Sequence, residues 1–145
     1  MIGRLVPIEK AAGSRWTFLQ RYIIPCWGGN DYLERLRIVQ TPWGGVYLHH
    51  IVAEDSDVPH DHPWNFLSFV VKGGYHECLG RSANFPQHRT RKRWTLAYRR
   101  AEDAHFISSV KEGTYTVLLV GPRKREWGFY VQPDQWVHWK EHDRP

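Results

Sequence analysis

The sequence predicts an all-β protein, an antiparallel sandwich or small barrel of jelly-roll form with one short helix near its start. Three observations carry that expectation. Short runs rich in β-branched and aromatic residues recur, among them Val46–Ala53, Phe66–Val71 and Tyr115–Val120. Turns bearing glycine or proline separate them, as at Thr41–Gly45, Gly73-Gly74 and Gly121-Pro122. Helical spacing of apolar residues is found in one early segment. Closing such a sheet on itself deals with its exposed edges.

Residues 1–14 carry little pattern and suit an arm or an edge. In Trp16–Ile24 the apolar residues fall at 16, 18, 19, 22 and 23, closer to helical spacing than to alternation. Pro25 closes the segment, because the residue before a proline is pushed out of the α region. A short helix is expected there, followed by a loop at Trp27–Asp31. Tyr32–Gln40 alternates Leu33, Arg35, Arg37 and Val39 against Tyr32, Glu34, Leu36 and Ile38. The second set is the more apolar, which suits a half-buried strand, although the LERLR stretch also favours a helix. Val46–Ala53 reads as a strand, and Asp55–Asp57 breaks it. Phe66–Val71 is the most apolar run in the chain and reads as a buried strand ending at Gly73-Gly74.

Tyr75–Leu79 is the next short strand. Gly80–His88 is a loop, Lys92–Tyr98 a strand and Arg99–Asp103 a polar turn. His105–Val110 and Tyr115–Val120 form a hairpin about Lys111–Gly113. Glu126–Val131 is the last core strand, and Trp136–Trp139 packs across the end of the sheet. A single domain over residues 1–145 is expected. Its core covers roughly 32–131, with an N-terminal arm and helix over 1–31 and an extension over 132–145.

The chain is basic, with a formal charge of +5. The clusters are Arg89–Arg93, Arg99-Arg100 and Arg123–Arg125. A basic surface suits nucleic acid or an anionic ligand. Solvated strand ends and loop tips are the plainer account, since no nucleic-acid motif accompanies the charge. Two cysteines, Cys26 and Cys78, are too few for a disulfide framework and lack metal-ligand spacing. Reduced thiols in a cytoplasmic protein are expected. The opening MIGRLVPIEK has no apolar signal core, and no apolar run approaches the ~20 residues that cross a bilayer, so no membrane partner is expected. Eight tryptophans supply burial or line a small-molecule pocket.

The chemistry centres on Val58–Tyr75. His60 and His62 are two apart, so on an extended backbone both imidazoles lie on one face and can reach one metal ion together. Asp61 points the other way and suits a turn or a supporting contact. The pair sits where the chain enters its most apolar run. A metal held there needs at least one more ligand from a distant strand, and His105, which opens a strand, is the candidate. His49 and His50 face opposite ways, so at most one looks into the barrel. His76 and Glu77 likewise oppose each other. His88, His138 and His142 lie in polar or terminal segments without a specific role.

Trp64, Phe66, Tyr75, Trp127 and Phe129 are expected to wall the mouth of the site. Arg125, Trp127 and Phe129 share one face of the Glu126–Val131 strand. Arg125 there suits a bidentate grip on a carboxylate or phosphate, or is a plain strand-end charge. No phosphate loop, nucleophile elbow or zinc-protease motif is present.

His60, His62 and Gly73, with His105 opening a later strand, resemble the two motifs of the cupin (RmlC-like) superfamily. The resemblance covers roughly residues 46–131. The first motif continues with a glutamate, and that position is Phe66 here. The turn before His105 is Arg100–Asp103, without the usual proline or glycine. HDHPWNF…GGYHE together with GPRKREWGF is similar to a group of small uncharacterised cupin-like proteins of bacteria and their phages. The resemblance implies a cupin-type jelly roll with His60, His62 and His105 as ligands of a divalent transition metal. Fe is the first choice, with Zn, Mn or Ni as alternatives. Thiol dioxygenases and diketone-cleaving cupins resemble this three-histidine pattern. The implied activity is a non-haem Fe(II) dioxygenase type acting on a small molecule, with catalytic residues unassigned. Arg125, Tyr75, Trp127 and Phe66 would contact the substrate, and His50 and Glu77 would stand behind the ligands. The second reading is a non-catalytic module binding a small anionic or nucleotide-like ligand. A nucleic-acid accessory role is the weakest. Cupin-like sheets pair, so a homodimer is the expected assembly.

Overall fold

A computed structural model describes residues 16–25, 31–54, 58–82 and 87–141. Among these residues there is no α-helix. One large antiparallel sheet contains β1 (Thr17–Pro25), β2 (Asp31–Thr41), β3 (Gly44–Ile51), β4 (Phe66–Lys72), β7 (Leu96–Arg99) and β9 (Thr114–Val120), in the order β1-β2-β3-β9-β4-β7. A second layer holds β6 (Gln87–Lys92), β5 (Gly74–Leu79) and β8 (His105–Val110), in the order β6-β5-β8. A hairpin of β10 (Gly128–Gln132) and β11 (Gln135–His138) extends that layer through His60, which bridges to both His105 and Phe129. β1 to β4 lie in the large sheet, β5 and β6 in the second layer, β7 to β10 alternate between the two, and every pairing among the described residues is antiparallel, a cupin-like β-sandwich.

The expected N-terminal helix is strand β1, paired along its length with β2. Its apolar spacing misleads because three of the apolar residues, Trp16, Phe18 and Leu19, lie at the surface, 57%, 62% and 71% exposed. From Gln20 onward the segment alternates, with Tyr22 and Ile24 in the core. Leu19 has a positive φ of 52°, an uncommon conformation for leucine. Pairing with a neighbouring strand outweighs the weak helical propensity of so short a segment.

β2 is a strand, but its inward face is the less apolar one. Leu33, Arg35 and Arg37 are buried, whereas Ile38 is exposed. The registers Arg35↔His49 and Arg37↔Tyr47 place both arginines beside the inward residues of β3. The expected Lys92–Tyr98 strand is divided between β6 and β7 by a turn at Arg93-Trp94. Gln87 and His88, expected in a loop, begin β6. The Trp136–Trp139 segment is β11 followed by a 3-10 turn. At the β4–β5 corner Gly73 has φ +75°, and a Cβ there would collide with the Thr114 side chain. That hydroxyl is occupied, binding the backbone of Gly74 and Lys111.

Two apolar clusters fill the space between the layers. Ile24, Tyr32, Leu33, Ile51, Val70, Tyr75 and Ile107 form one. Tyr47, Trp64, Phe66, Leu118 and Val120 form the other.

Residues 59–62 join the layers at one end. Asp61, fully buried, points away from the cavity and gathers four donors. Its carboxylate accepts from the Gly128 N–H at 2.8 Å, the Trp136 indole at 3.1 Å and the Tyr130 hydroxyl at 3.4 Å. Arg125 pairs with it at 2.8 Å. Burial pushes this carboxyl up, and the four donors oppose the shift. Asp61→Ala leaves buried donors without an acceptor, so it should cost on the order of 2–3 kcal/mol. Urea unfolding measures that loss, and hydrogen exchange should show it concentrated in β10 and β11.

Candidate metal centre

Backbone pairing sets the histidines. His60 exchanges both hydrogen bonds with His105, at 2.9 and 3.0 Å. The His62 N–H donates to the Ala101 carbonyl at 2.9 Å, and the Asp61 N–H to Gly128 at 3.1 Å. Residues 60–62 are therefore extended, and strand alternation turns both imidazoles to the cavity. His105 stands opposite His60 at the start of β8. One ring nitrogen from each of the three lies within 4.8 Å of the others.

The Nε2 atoms of His62 and His105 are 3.3 Å apart. Two nitrogens each ~2.1 Å from a shared ion, at tetrahedral or octahedral angles, are separated by about 3.0–3.4 Å. The observed spacing fits a shared ion. The Nδ1 atoms of His62 and His105 are buried without a hydrogen-bond partner. Behind His105, the Glu77 carboxylate lies 3.6 Å from Nδ1, just beyond hydrogen-bond reach. Glu77 is itself held by Arg91 at 3.2 Å and by Arg99. A carboxylate behind a ligating histidine orients its ring and raises its basicity.

Aromatic rings fix the imidazoles. Trp64 stacks on His62 at 5.8 Å between centroids, and Phe66 meets the same ring edge-on at 4.7 Å. Phe129 and Trp127 flank His60 at 6.1 and 6.4 Å. Burial first, then mutual disfavour of charge with the neighbouring imidazoles, holds the His60 and His62 pKa values well below the usual histidine range, and Arg35 and Arg99 add to this at His62. Burial first and Arg99 second push His105 down to about 3. All three are neutral at pH 7, the state that ligates metal.

The cavity, about 80 Å³, is also lined by Arg35, His49, Tyr75, Ser68 and Thr116. Of the residues expected to contact substrate, Phe66, Tyr75 and Trp127 line it. Arg125 does not: its guanidinium is committed to Asp61. His50 also lies outside, stacked on Tyr115 at 4.4 Å and 3.5 Å from Glu34. The inward member of that pair is His49, which follows from its position between buried Tyr47 and Ile51. Arg35 is a cavity residue that sequence reasoning missed. Much of the basic charge is matched by acids: Arg91 and Arg99 by Glu77, Arg100 by Asp103, and Arg123 by Glu126.

His49, like the other three, is pushed well below the usual range by burial, then by Arg35. A histidine with a lowered folded pKa favours folding above its unfolded value near 6.5 and loses that contribution as pH falls toward its folded value. Each proton taken up only on unfolding costs about 1.4 kcal/mol per pH unit. Metal-free protein should therefore lose stability steadily from pH 6.5 downward. Urea midpoints at pH 7, 6 and 5 measure this, and His49→Gln should flatten the slope.

No family model matches the chain, and no curated protein matches it. Several solved structures share its fold. The iron(II) form of HppE with the alternative substrate (S)-1-HPP matches over 72% of this chain at 18% identity and a TM-score of 0.57. The chain spans 60% of that protein's length. A variant of Streptomyces PAC13 with uridine matches over 86% of this chain and 98% of its own, at 14% identity and a TM-score of 0.54. KdgF from a Halomonas species matches over 74% of this chain and 96% of its own, at 14% identity and a TM-score of 0.55. At such identities the likeness concerns architecture, and the architecture of this chain is cupin-like.

Proposed function

We propose that this chain is a metal-binding cupin-like protein acting on a small molecule, with His60, His62 and His105 as the ligands. The observation that carries the reading is the meeting of three neutral imidazoles in one cavity, two of them 3.3 Å apart. A divalent ion bound there keeps positions open for a ligand and supplies Lewis acidity or, as iron, redox chemistry. Iron is the first choice, with zinc, manganese and nickel as alternatives. HppE, similar in fold, has been solved with iron(II) and with cobalt(II) and substrate, which supports a divalent ion. A dioxygenase-type oxidation is the proposed reaction.

The chain's own residues perform three tasks. Glu77, tied to Arg91 and Arg99, sets a carboxylate 3.6 Å behind His105. Trp64, Phe66 and Trp127 exclude water and fix the rings. Tyr75, hydrogen-bonded to Ser68, adds to the polar edge of the cavity.

A second reading, a non-catalytic module for a small anionic or nucleotide-like ligand, is favoured by the fold shared with uridine-bound PAC13. Both readings place the protein in the cytoplasm, supported by Cys78, a buried free thiol. Among the described residues no helix is long and apolar enough to cross a membrane. The proposed assembly is a homodimer. Phe18, Leu119 and Tyr98, all more than half exposed, project from the large sheet along one cross-strand row, and such a row suits a second copy.

The test is metal content, by plasma mass spectrometry, of protein purified without chelator, beside a His60→Ala/His62→Ala double variant. Close to one divalent ion per chain is expected, with loss of more than about nine-tenths in the variant. Failure of both proteins to take up iron, manganese, nickel or zinc on reconstitution would sink the metal reading.

A further inference from the structure

We propose that Arg35, held in place by His49, is the anion-binding residue of the cavity, and that the ligand is a small organic oxyanion, a carboxylate or a phosphonate. The proposal deepens the function given above and rests on that cavity being the ligand site.

Arg35 is 7% exposed, and it lines the same cavity as the three histidines. A buried guanidinium ordinarily pairs with a carboxylate, because a buried unpaired charge is costly. Arg35 has no such partner among the described residues. The charged or ionisable groups around it are Tyr47, Arg37, Tyr32 and Tyr22, with His49 in contact. No residue lining the cavity is acidic. Buried Arg99 and half-buried Arg91 differ, for they share Glu77, while buried Arg37 packs on the Tyr22 and Tyr47 rings and does not line the cavity.

The geometry of Arg35 also suits a ligand. Its Nε donates to His49 Nε2 at 2.9 Å, which fixes the plane of the guanidinium. The Tyr47 and Trp64 rings lie 5.0 and 5.5 Å from its central carbon. The two terminal nitrogens donate to no described side chain or carbonyl, and together they form the fork that grips a carboxylate or phosphonate bidentately. Trp64 touches both Arg35 and His62, so the fork and the ligand cluster share one wall. Burial brings Arg35 down to about 10, which still leaves it charged at pH 7. A dianion or monoanion reaching from Arg35 toward the histidines supplies the negative charge that the cavity lacks.

Calorimetric titration tests this on metal-free and cobalt(II)-loaded protein. The probes are pyruvate and oxalate as carboxylates, methylphosphonate as the phosphonate, and pyruvamide as a neutral isostere. The anions should bind wild type and pyruvamide should not. The carboxylate and phosphonate series then show which oxyanion the fork prefers. Arg35→Met should weaken anion binding at least about tenfold, and Arg35→Lys should retain part of it. Circular dichroism checks that both variants fold. Equal binding of pyruvamide, or unchanged anion binding by Arg35→Met, would overturn the proposal. So would loss of binding in Arg125→Gln with binding intact in Arg35→Met. The two arms separate the two claims. Anion binding that needs Arg35 in a protein that takes up no metal upholds this site and refutes the metalloenzyme reading. Metal uptake without anion selectivity does the reverse.

Discussion

The backbone of Pro59–His62 has no long strand of its own, yet it fills a gap between β8 and β10. On one side His60 exchanges hydrogen bonds with His105, and on the other the Asp61 N–H reaches Gly128 and the Tyr130 N–H reaches Pro59. These pairings make three residues extended, and the period of two then sorts their side chains. His60 and His62 go to the cavity, and Asp61 goes to the back. The back-facing carboxylate ties down the β10–β11 hairpin, while the front-facing rings meet His105. Structural support and chemistry are thus divided within one tripeptide. A shift of one residue would exchange the two roles, putting a carboxylate in the cavity and imidazoles among the donors that Asp61 now satisfies.

Charge is distributed along the same lines. Among the described residues the buried acids, Asp61 and Glu77, both lie outside the cavity and both are matched by arginines. The cavity itself keeps neutral histidines and one uncompensated guanidinium. Phe66, at the position where the cupin motif has a glutamate, contributes to this imbalance, since its ring packs on His62. A ligand set without a carboxylate would leave the full charge of a bound divalent ion in place. Such a site would favour anions more than a histidine–glutamate site.

The parts legible in the sequence were those where composition and direction agree. The His-x-His spacing works through strand alternation alone, and the apolar run after it could only be a buried strand. His105–Val110 was read with its observed bounds because turns flank it on both sides. Three features were not legible. β1 carries apolar residues on its outer surface, which imitated a helical face. β2 points arginines inward and Ile38 outward, so counting apolar residues selected the wrong face and hid Arg35. Arg125 sits in the loop before β10, and only the long-range contact with Asp61 decides what its charge does. His49 was within reach: the parity of buried Tyr47 and Ile51 distinguishes it from His50.

Arg35 and a divalent ion on the histidines are like charges facing a low-dielectric space, so each raises the cost of the other. The field of Arg35 already reaches His62, where it is one of the causes that lower the imidazole pKa. An anion between the two reverses the sign of that interaction at both ends. Metal and anion affinities must then be linked by the same free energy in each direction, as linkage requires. Without an anion, that repulsion would lower the affinity for a metal ion. With one, the net positive charge on the cavity would fall at both ends. A cavity that held both would discriminate by charge before shape, because a neutral molecule of the same size would leave the repulsion in place.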